Sequence, residues 1–225
     1  VHIADADYYR NLQNRFTNFD AVLFEMVKPK AGAEAPIPAS INPIRSLQTG
    51  MKKLLELEFQ LDAIDYAQTN FVHADLDAET FSRLQKDKGE SILGLLIRAA
   101  LDEQNQKTAS RNPFDGVQFF LALMSPDSAH RLKLILAGQL EQIESLVSGL
   151  DQGQDGKGSV LVSGRNQKAM EVLAEQLRKG KRRLAIFYGA GHMPDLEKRL
   201  AQGGFKKSSE QWLTAWDIRR RKARE

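Results

Sequence analysis

The motif Gly-x-Gly-His, which ends at His192, is the stretch of this sequence best suited to chemistry. It follows an apolar run, residues 184–188, that predicts a short buried strand, and Pro194 suits the first turn of a following helix. His192 would then lie where strand passes into helix, at the sheet edge where α/β proteins bind ligands. Gly189 and Gly191 permit a sharp turn and leave room beside the imidazole. A glycine turn can also serve only to reverse the chain, so the motif needs partners elsewhere.

Several other polar residues stand close to predicted strand ends or turns. They are His2, Glu25, Asp75, Arg165 and Asn166. Because parallel strands place their carboxyl ends at one edge of a sheet, residues far apart in sequence can converge there. His2, Glu25 and His192 are suitable ligands for a divalent metal such as Mn, Co or Zn, whose bound water loses a proton near neutral pH. Glu25 could then act as a general base, and Arg165 could stabilise a developing oxyanion.

Some of these candidates also have a purely structural interpretation. Glu25 lies in the apolar strand predicted over 21–27, where an unpaired buried carboxylate costs several kcal/mol. It therefore needs a partner or a metal, unless it lies on an exposed edge strand. His73, in the segment 70–77, either faces the site or is a loop residue with its hydrogen bonds satisfied.

These residues must be positioned by an α/β fold. Apolar strands predicted at 21–27, 159–163 and 184–188 alternate with amphipathic helices, which is typical of a central, mostly parallel sheet with flanking helices. From about residue 78 to 150 the leucine spacing is almost wholly helical, which predicts a helical insertion or cap within one domain. Residues 208–218 predict a final strand or helix.

The composition narrows the class of protein. Apolar residues make up 42% and charged residues 27%, as in soluble globular domains, and the absence of cysteine excludes disulfides and thiolate chemistry. No apolar run reaches the roughly 20 residues of a membrane-spanning helix. The chain starts at Val1, which favours an exported or membrane-attached protein that has lost its leader over a cytoplasmic one. The basic run 219–225 predicts a solvated tail or a patch for an anionic partner, but no nucleic-acid motif accompanies it.

The sequence resembles the TraB/Tiki (TraB/GumN) family, within the erythromycin esterase/ChaN-like superfamily. Residues 189–192, with the Met-Pro-x-Leu that follows, match the family's late Gly-x-Gly-His motif. The segment 23–25 resembles its strand ending in glutamate, and Arg165-Asn166 resembles its Arg-Asn pair. His2 would be the histidine of the family's early Gly-x-x-His motif. Two mid-chain segments also resemble bacterial members: 64–66 and 74–76.

The resemblance implies an α/β fold and a metal-dependent hydrolase that cleaves a peptide bond through metal-activated water. ChaN-like relatives bind haem instead. The alternative function is therefore that of a ligand-binding protein without turnover, in which Tyr66, Tyr188 or a histidine would ligate the iron. A third interpretation is an interaction protein whose basic tail and helical cap bind a partner. The substrate, whether a peptide or a small molecule, and the oligomeric state are not set by the sequence.

Overall fold

The computed structural model of the chain describes residues 1–28, 55–87, 116–138 and 160–219. These ranges contain short strands and α-helices. In chain order they are β1 (Ile3–Ala4), α1 (Ala6–Phe16), β2 (Ala21–Phe24), β3 (Glu58–Phe59), α2 (Gln60–Ala63), β4 (Phe71–His73), α3 (Ala78–Asp87), α4 (Gly116–Leu123), α5 (128–138), α6 (Arg165–Arg178), β5 (Leu184–Phe187) and α7 (Met193–Gln202).

Three of the strands form a parallel sheet in the order β4-β2-β5. Phe24, the last residue of β2, pairs with His73 on one side and with Phe187 on the other. All three strands therefore end level with one another, and the residues that follow them meet at one edge of the sheet. β1 and β3 form a separate antiparallel pair. The predicted α/β fold with a mostly parallel sheet is confirmed.

Helices cover both faces of the central strand, whose four residues are all buried. Successive side chains of a strand point to opposite faces. Val22 accordingly packs with Tyr9 and Phe16 of α1. Leu23 packs on the other face with Val172 of α6. Burial on both faces explains why the sequence of β2 is continuously apolar rather than alternating between apolar and polar residues.

Two predicted elements are wrong. Instead of a strand over 159–163, Val160–Gly164 forms a π-helical turn that continues directly into α6, because a short apolar run does not distinguish strand from helix. Residues 208–218 form neither strand nor helix. That segment is instead tied to the N-terminal strand, where Trp216 Nε1 donates to the carbonyl of Ile3 at 2.8 Å.

The predicted helical insertion over 78–150 falls only partly on described residues. The helices α3, α4 and α5 lie within it, whereas residues 88–115 and 139–159 are outside the described part of the chain. The insertion as a unit therefore stays a prediction. Within the described residues, no helix combines the length and the apolar character needed to cross a bilayer.

Candidate functional site

The carboxyl edge of the parallel sheet brings together a cluster of charged and polar side chains. Glu25 directly follows β2, rather than lying inside a longer strand, and Asp75 comes two residues after β4. Arg165 and Asn166 begin α6 beside this edge. His192 closes the 3₁₀ turn Ala190–His192, between β5 and α7. Five of the residues singled out in the sequence thus meet within one small region.

Arg165 is the cation at the centre of the cluster. Its Nε and Nη2 donate to the two carboxylate oxygens of Asp75 at 2.9 and 2.6 Å. Nη2 also lies 2.8 Å from Oε1 of Glu25. The side chain of Asp75 is 0% exposed, and those of Arg165 and Glu25 are 14% and 13% exposed. The guanidinium therefore compensates two carboxylates that are largely removed from water, a pairing that buried charges require.

The electrostatics of Arg165 follow from this double pairing. Burial by itself lowers the pKa of the guanidinium, because it disfavours the charged form. The hydrogen bonds that Arg165 donates to Asp75 and the negative charges of Glu25 and Asp75 act in the opposite direction and prevail, so the pKa is raised. Arg165 thus stays protonated and holds Glu25 in a fixed orientation.

His192 is the second fixed group. The residue is buried, with 7% of its surface exposed. Its Nδ1 lies 2.7 Å from Oδ1 of Asn166, and its Nε2 lies 3.6 Å from Oε1 of Glu25. The imidazole is therefore held on one side by an amide and faces a carboxylate on the other, the arrangement of an oriented general base.

Gly189 brings the backbone close to the carboxylate of Glu25. Its N–H donates to Oε2 of Glu25 at 2.7 Å, and a Cβ atom at this position would lie 3.4 Å from the same oxygen. The φ and ψ of Gly189, −60° and 150°, are ordinary extended values. The backbone of Gly189 is therefore unstrained, and what this position contributes to the cluster is its N–H. Gly191 lies in the 3₁₀ turn and is exposed.

Three other sequence candidates are placed differently. His2 has an exposed side chain, and its carbonyl accepts the N–H of Gln60. His73 ends β4 with Nε2 2.6 Å from the carbonyl of Met26. Tyr66 packs in an aromatic cluster, and its hydroxyl accepts from Gln60 at 2.9 Å. Burial raises the pKa of Tyr66, so its hydroxyl stays protonated at neutral pH.

The residues predicted as metal ligands do not form a preformed metal site in the described part of the chain. Among the described residues, no group of three or more His, Asp or Glu side chains is arranged to hold a metal ion. His2, Glu25 and His192 therefore do not converge as three ligands, and Glu25 is already paired with Arg165. The metal assignment stays a prediction.

Sequence reasoning overlooked Asp195, which joins the cluster from the first turn of α7. Its Oδ2 accepts from Nδ2 of Asn166 at 2.8 Å and from Nε of Arg199 at 2.6 Å. The signal in the sequence is the i, i+4 spacing of Asp195 and Arg199, which places both on one helix face. That spacing is common in exposed helices, so it does not by itself indicate a site.

Comparison with known proteins adds nothing to this geometry, since no family model, curated protein or solved structure matches the chain.

Proposed function

We propose that the protein is a hydrolase in which His192 and Glu25 activate water. The observation that supports the proposal is the orientation of His192, with Nδ1 held by Asn166 and Nε2 facing Glu25 at 3.6 Å. A neutral imidazole with one nitrogen tied to an acceptor presents the other as a proton acceptor. The site combines this base with a carboxylate that can stabilise the imidazolium formed when the base takes a proton.

The proposed reaction is hydrolysis of the bond between a carbonyl carbon of the substrate and its leaving group. Nε2 of His192 takes a proton from water while the water oxygen bonds to the carbonyl carbon. Collapse of the tetrahedral intermediate breaks the bond to the leaving group, and the imidazolium returns its proton to that group. Arg165 holds the carboxylate of Glu25 in place throughout. A peptide bond as the substrate rests on the resemblance to TraB/Tiki proteins.

A metal ion would have Glu25 and His192 as its nearest ligands. The present contacts do not fit it, because Arg165 Nη2 lies 2.8 Å from Oε1 of Glu25 and would face a second cation there. Two cations beside one carboxylate oxygen repel each other strongly in a site that is mostly excluded from water. The proposed steps therefore use the protein's own base.

Haem binding has less support. The hydroxyl of Tyr188 is buried and donates to the carbonyl of Ala74, and the hydroxyl of Tyr66 bonds to Gln60. Burial also raises the pKa of Tyr188, which disfavours the phenolate that ligates iron. Either tyrosine would have to break a hydrogen bond to bind haem.

The test is turnover of a peptide and ester library, read by mass spectrometry. We expect His192→Ala and Glu25→Gln to lose about 10²- to 10⁴-fold in rate, the usual contribution of a general base. His130→Ala is the matched control, since His130 lines a separate surface cleft with Lys133 and Asp127. Circular dichroism establishes that each variant is folded.

The same assay is run with chelator and after addition of Mn, Co or Zn. Equal rates in all of these conditions support a metal-independent base. Turnover that requires added metal would restore the metal-dependent mechanism. Full activity of His192→Ala, or no cleavage of any substrate in any condition, would overturn the hydrolase proposal.

A further inference from the structure

We infer that Asn166 and Asp195 are positioning residues that hold His192 in one tautomer, with its proton on Nδ1 and the lone pair of Nε2 toward Glu25. The catalytic value of this tautomer rests on the proposed hydrolase function, but the tautomer itself can be measured without turnover. Asn166 is fully buried, so its polar atoms are satisfied within the protein.

The hydrogen-bond partners of Asn166 fix the orientation of its side-chain amide. Nδ2 lies 3.2 Å from the carbonyl oxygen of His192 and 2.8 Å from Oδ2 of Asp195. A carbonyl and an ionised carboxylate only accept hydrogen bonds, so the NH₂ group must face them. A flipped amide would set its oxygen against two other oxygens in a buried position. The hydrogen-bond network therefore fixes the orientation of the amide.

The orientation of the Asn166 amide determines which ring nitrogen of His192 is protonated. Oδ1 of Asn166 is left facing Nδ1 of His192 at 2.7 Å. An amide oxygen is only an acceptor, so Nδ1 must be the donor and carry the hydrogen. A neutral imidazole has one N–H, which leaves Nε2 with its lone pair directed to the Glu25 side of the ring, 3.6 Å from Oε1.

Asp195 is itself held in place on α7 by Arg199. Its Oδ2 accepts from Nε of Arg199 at 2.6 Å. Arg199 is itself fixed, because its Nη1 donates to Gln167 at 2.8 Å and its Nη2 donates to Oγ of Ser163 at 2.9 Å. An i, i+4 ion pair on a helix usually contributes little. Here the same oxygen, Oδ2 of Asp195, also accepts from the side-chain amide of Asn166 and fixes its orientation. The ion pair on α7 therefore helps to orient the amide that holds the imidazole.

The experiment is ¹⁵N NMR of ring nitrogens in the full chain, labelled at histidine and measured where the imidazoles are neutral. The chain has four histidines, and the signals absent from His192→Ala identify the ring of interest. We expect the unmodified chain to show protonated Nδ1 and unprotonated Nε2. Asp195→Ala should move the population toward protonated Nε2, whereas Asp195→Asn, which keeps an acceptor oxygen, should not.

Turnover is measured on the same samples. We expect Asp195→Ala to lose between about 10-fold and the roughly 10⁴-fold that a wrong tautomer costs a histidine base, while Asp195→Asn recovers most of the rate. The matched control is Glu175→Ala, because Glu175 forms an equivalent i, i+4 pair with Lys179 on the exposed face of α6. That variant should change neither tautomer nor rate.

The outcomes separate the inference from the function. Protonated Nε2 in the unmodified chain would overturn the inference, even if His192→Ala abolishes turnover. The inferred tautomer in a chain that cleaves no substrate would leave the inference intact and overturn the hydrolase proposal. A native tautomer in Asp195→Ala would remove Asp195 from the positioning role. If that variant does not fold, the spectrum of the unmodified chain alone still decides the tautomer.

Discussion

We expect Arg165→Met to destabilise the protein by about 3–5 kcal/mol, the usual cost of removing one partner from a buried ion pair. The substitution keeps an unbranched apolar side chain about as long as the aliphatic stem of arginine and removes the charge and donors. Asp75 would then be a carboxylate with 0% side-chain exposure that has lost two hydrogen bonds of 2.9 and 2.6 Å. The N–H of Leu76 would still donate to it at 2.8 Å, which offsets a small part of the loss.

The free energy of unfolding is measured by urea denaturation, with thermal unfolding as a second readout. For a chain of this length, 3–5 kcal/mol corresponds to a fall in Tm of about 6 to 20 °C. Adding Asp75→Asn should recover part of the loss, because the double variant no longer buries the charge of Asp75, while Glu25 still lacks its partner. The coupling between the two sites should be about 0.5–3 kcal/mol.

Arg183→Met is the matched control. Arg183 is 70% exposed and lies 3.4 Å from Asp20, so its loss should cost no more than about 1 kcal/mol. A change below about 1 kcal/mol for Arg165→Met, or additive effects with Asp75→Asn, would refute the reasoning. Either result would mean that the carboxylates do not depend on the guanidinium.

The contributions of Tyr188 and Asp20 to the free energy of unfolding depend on pH. Burial raises the pKa of Tyr188, so folding favours its neutral form and loses that stabilisation as pH rises above about 10. Tyr188→Phe should therefore be less stable than the unmodified chain at pH 8, with a gap that narrows by pH 11 in urea unfolding. The backbone N–H groups of residues 182 and 183 lower the pKa of Asp20, so its stabilisation is complete above the ordinary value of 3.8 and is lost in more acidic solution. Asp20→Asn should cost most near pH 6 and least near pH 2.5, and a constant difference would contradict this.

Much of the fold is predictable from the sequence because it depends on apolar runs. The segments 21–24 and 184–187 are continuously apolar, which is the pattern of a buried parallel strand, and each is followed by a polar residue or a glycine turn. The segment 160–164 is also apolar at its start but forms a helical turn. A short apolar run indicates that a segment is buried, but the elements that pack against it determine whether it forms a strand or a helix.

The polar residues that follow the strands indicate where the candidate site lies, but they do not indicate which side chains pair within it. The parallel sheet accounts for Glu25, Asp75 and His192 meeting at one edge, since each follows a strand. That Arg165 bridges both carboxylates, and that His73 instead turns to the carbonyl of Met26, depends on side-chain directions at the scale of an ångström.

The α/β class and the set of polar residues at the strand ends follow from the sequence, because hydrophobic periodicity and glycine turns are local properties of the chain. Which atoms meet depends on how the elements pack. Asp195 and Asn166 are 29 residues apart, and their hydrogen bond orders the imidazole of His192. Hydrogen bonds are short and directional, so the protonated nitrogen of His192 follows from the packing of α6 against α7 rather than from any spacing in the sequence.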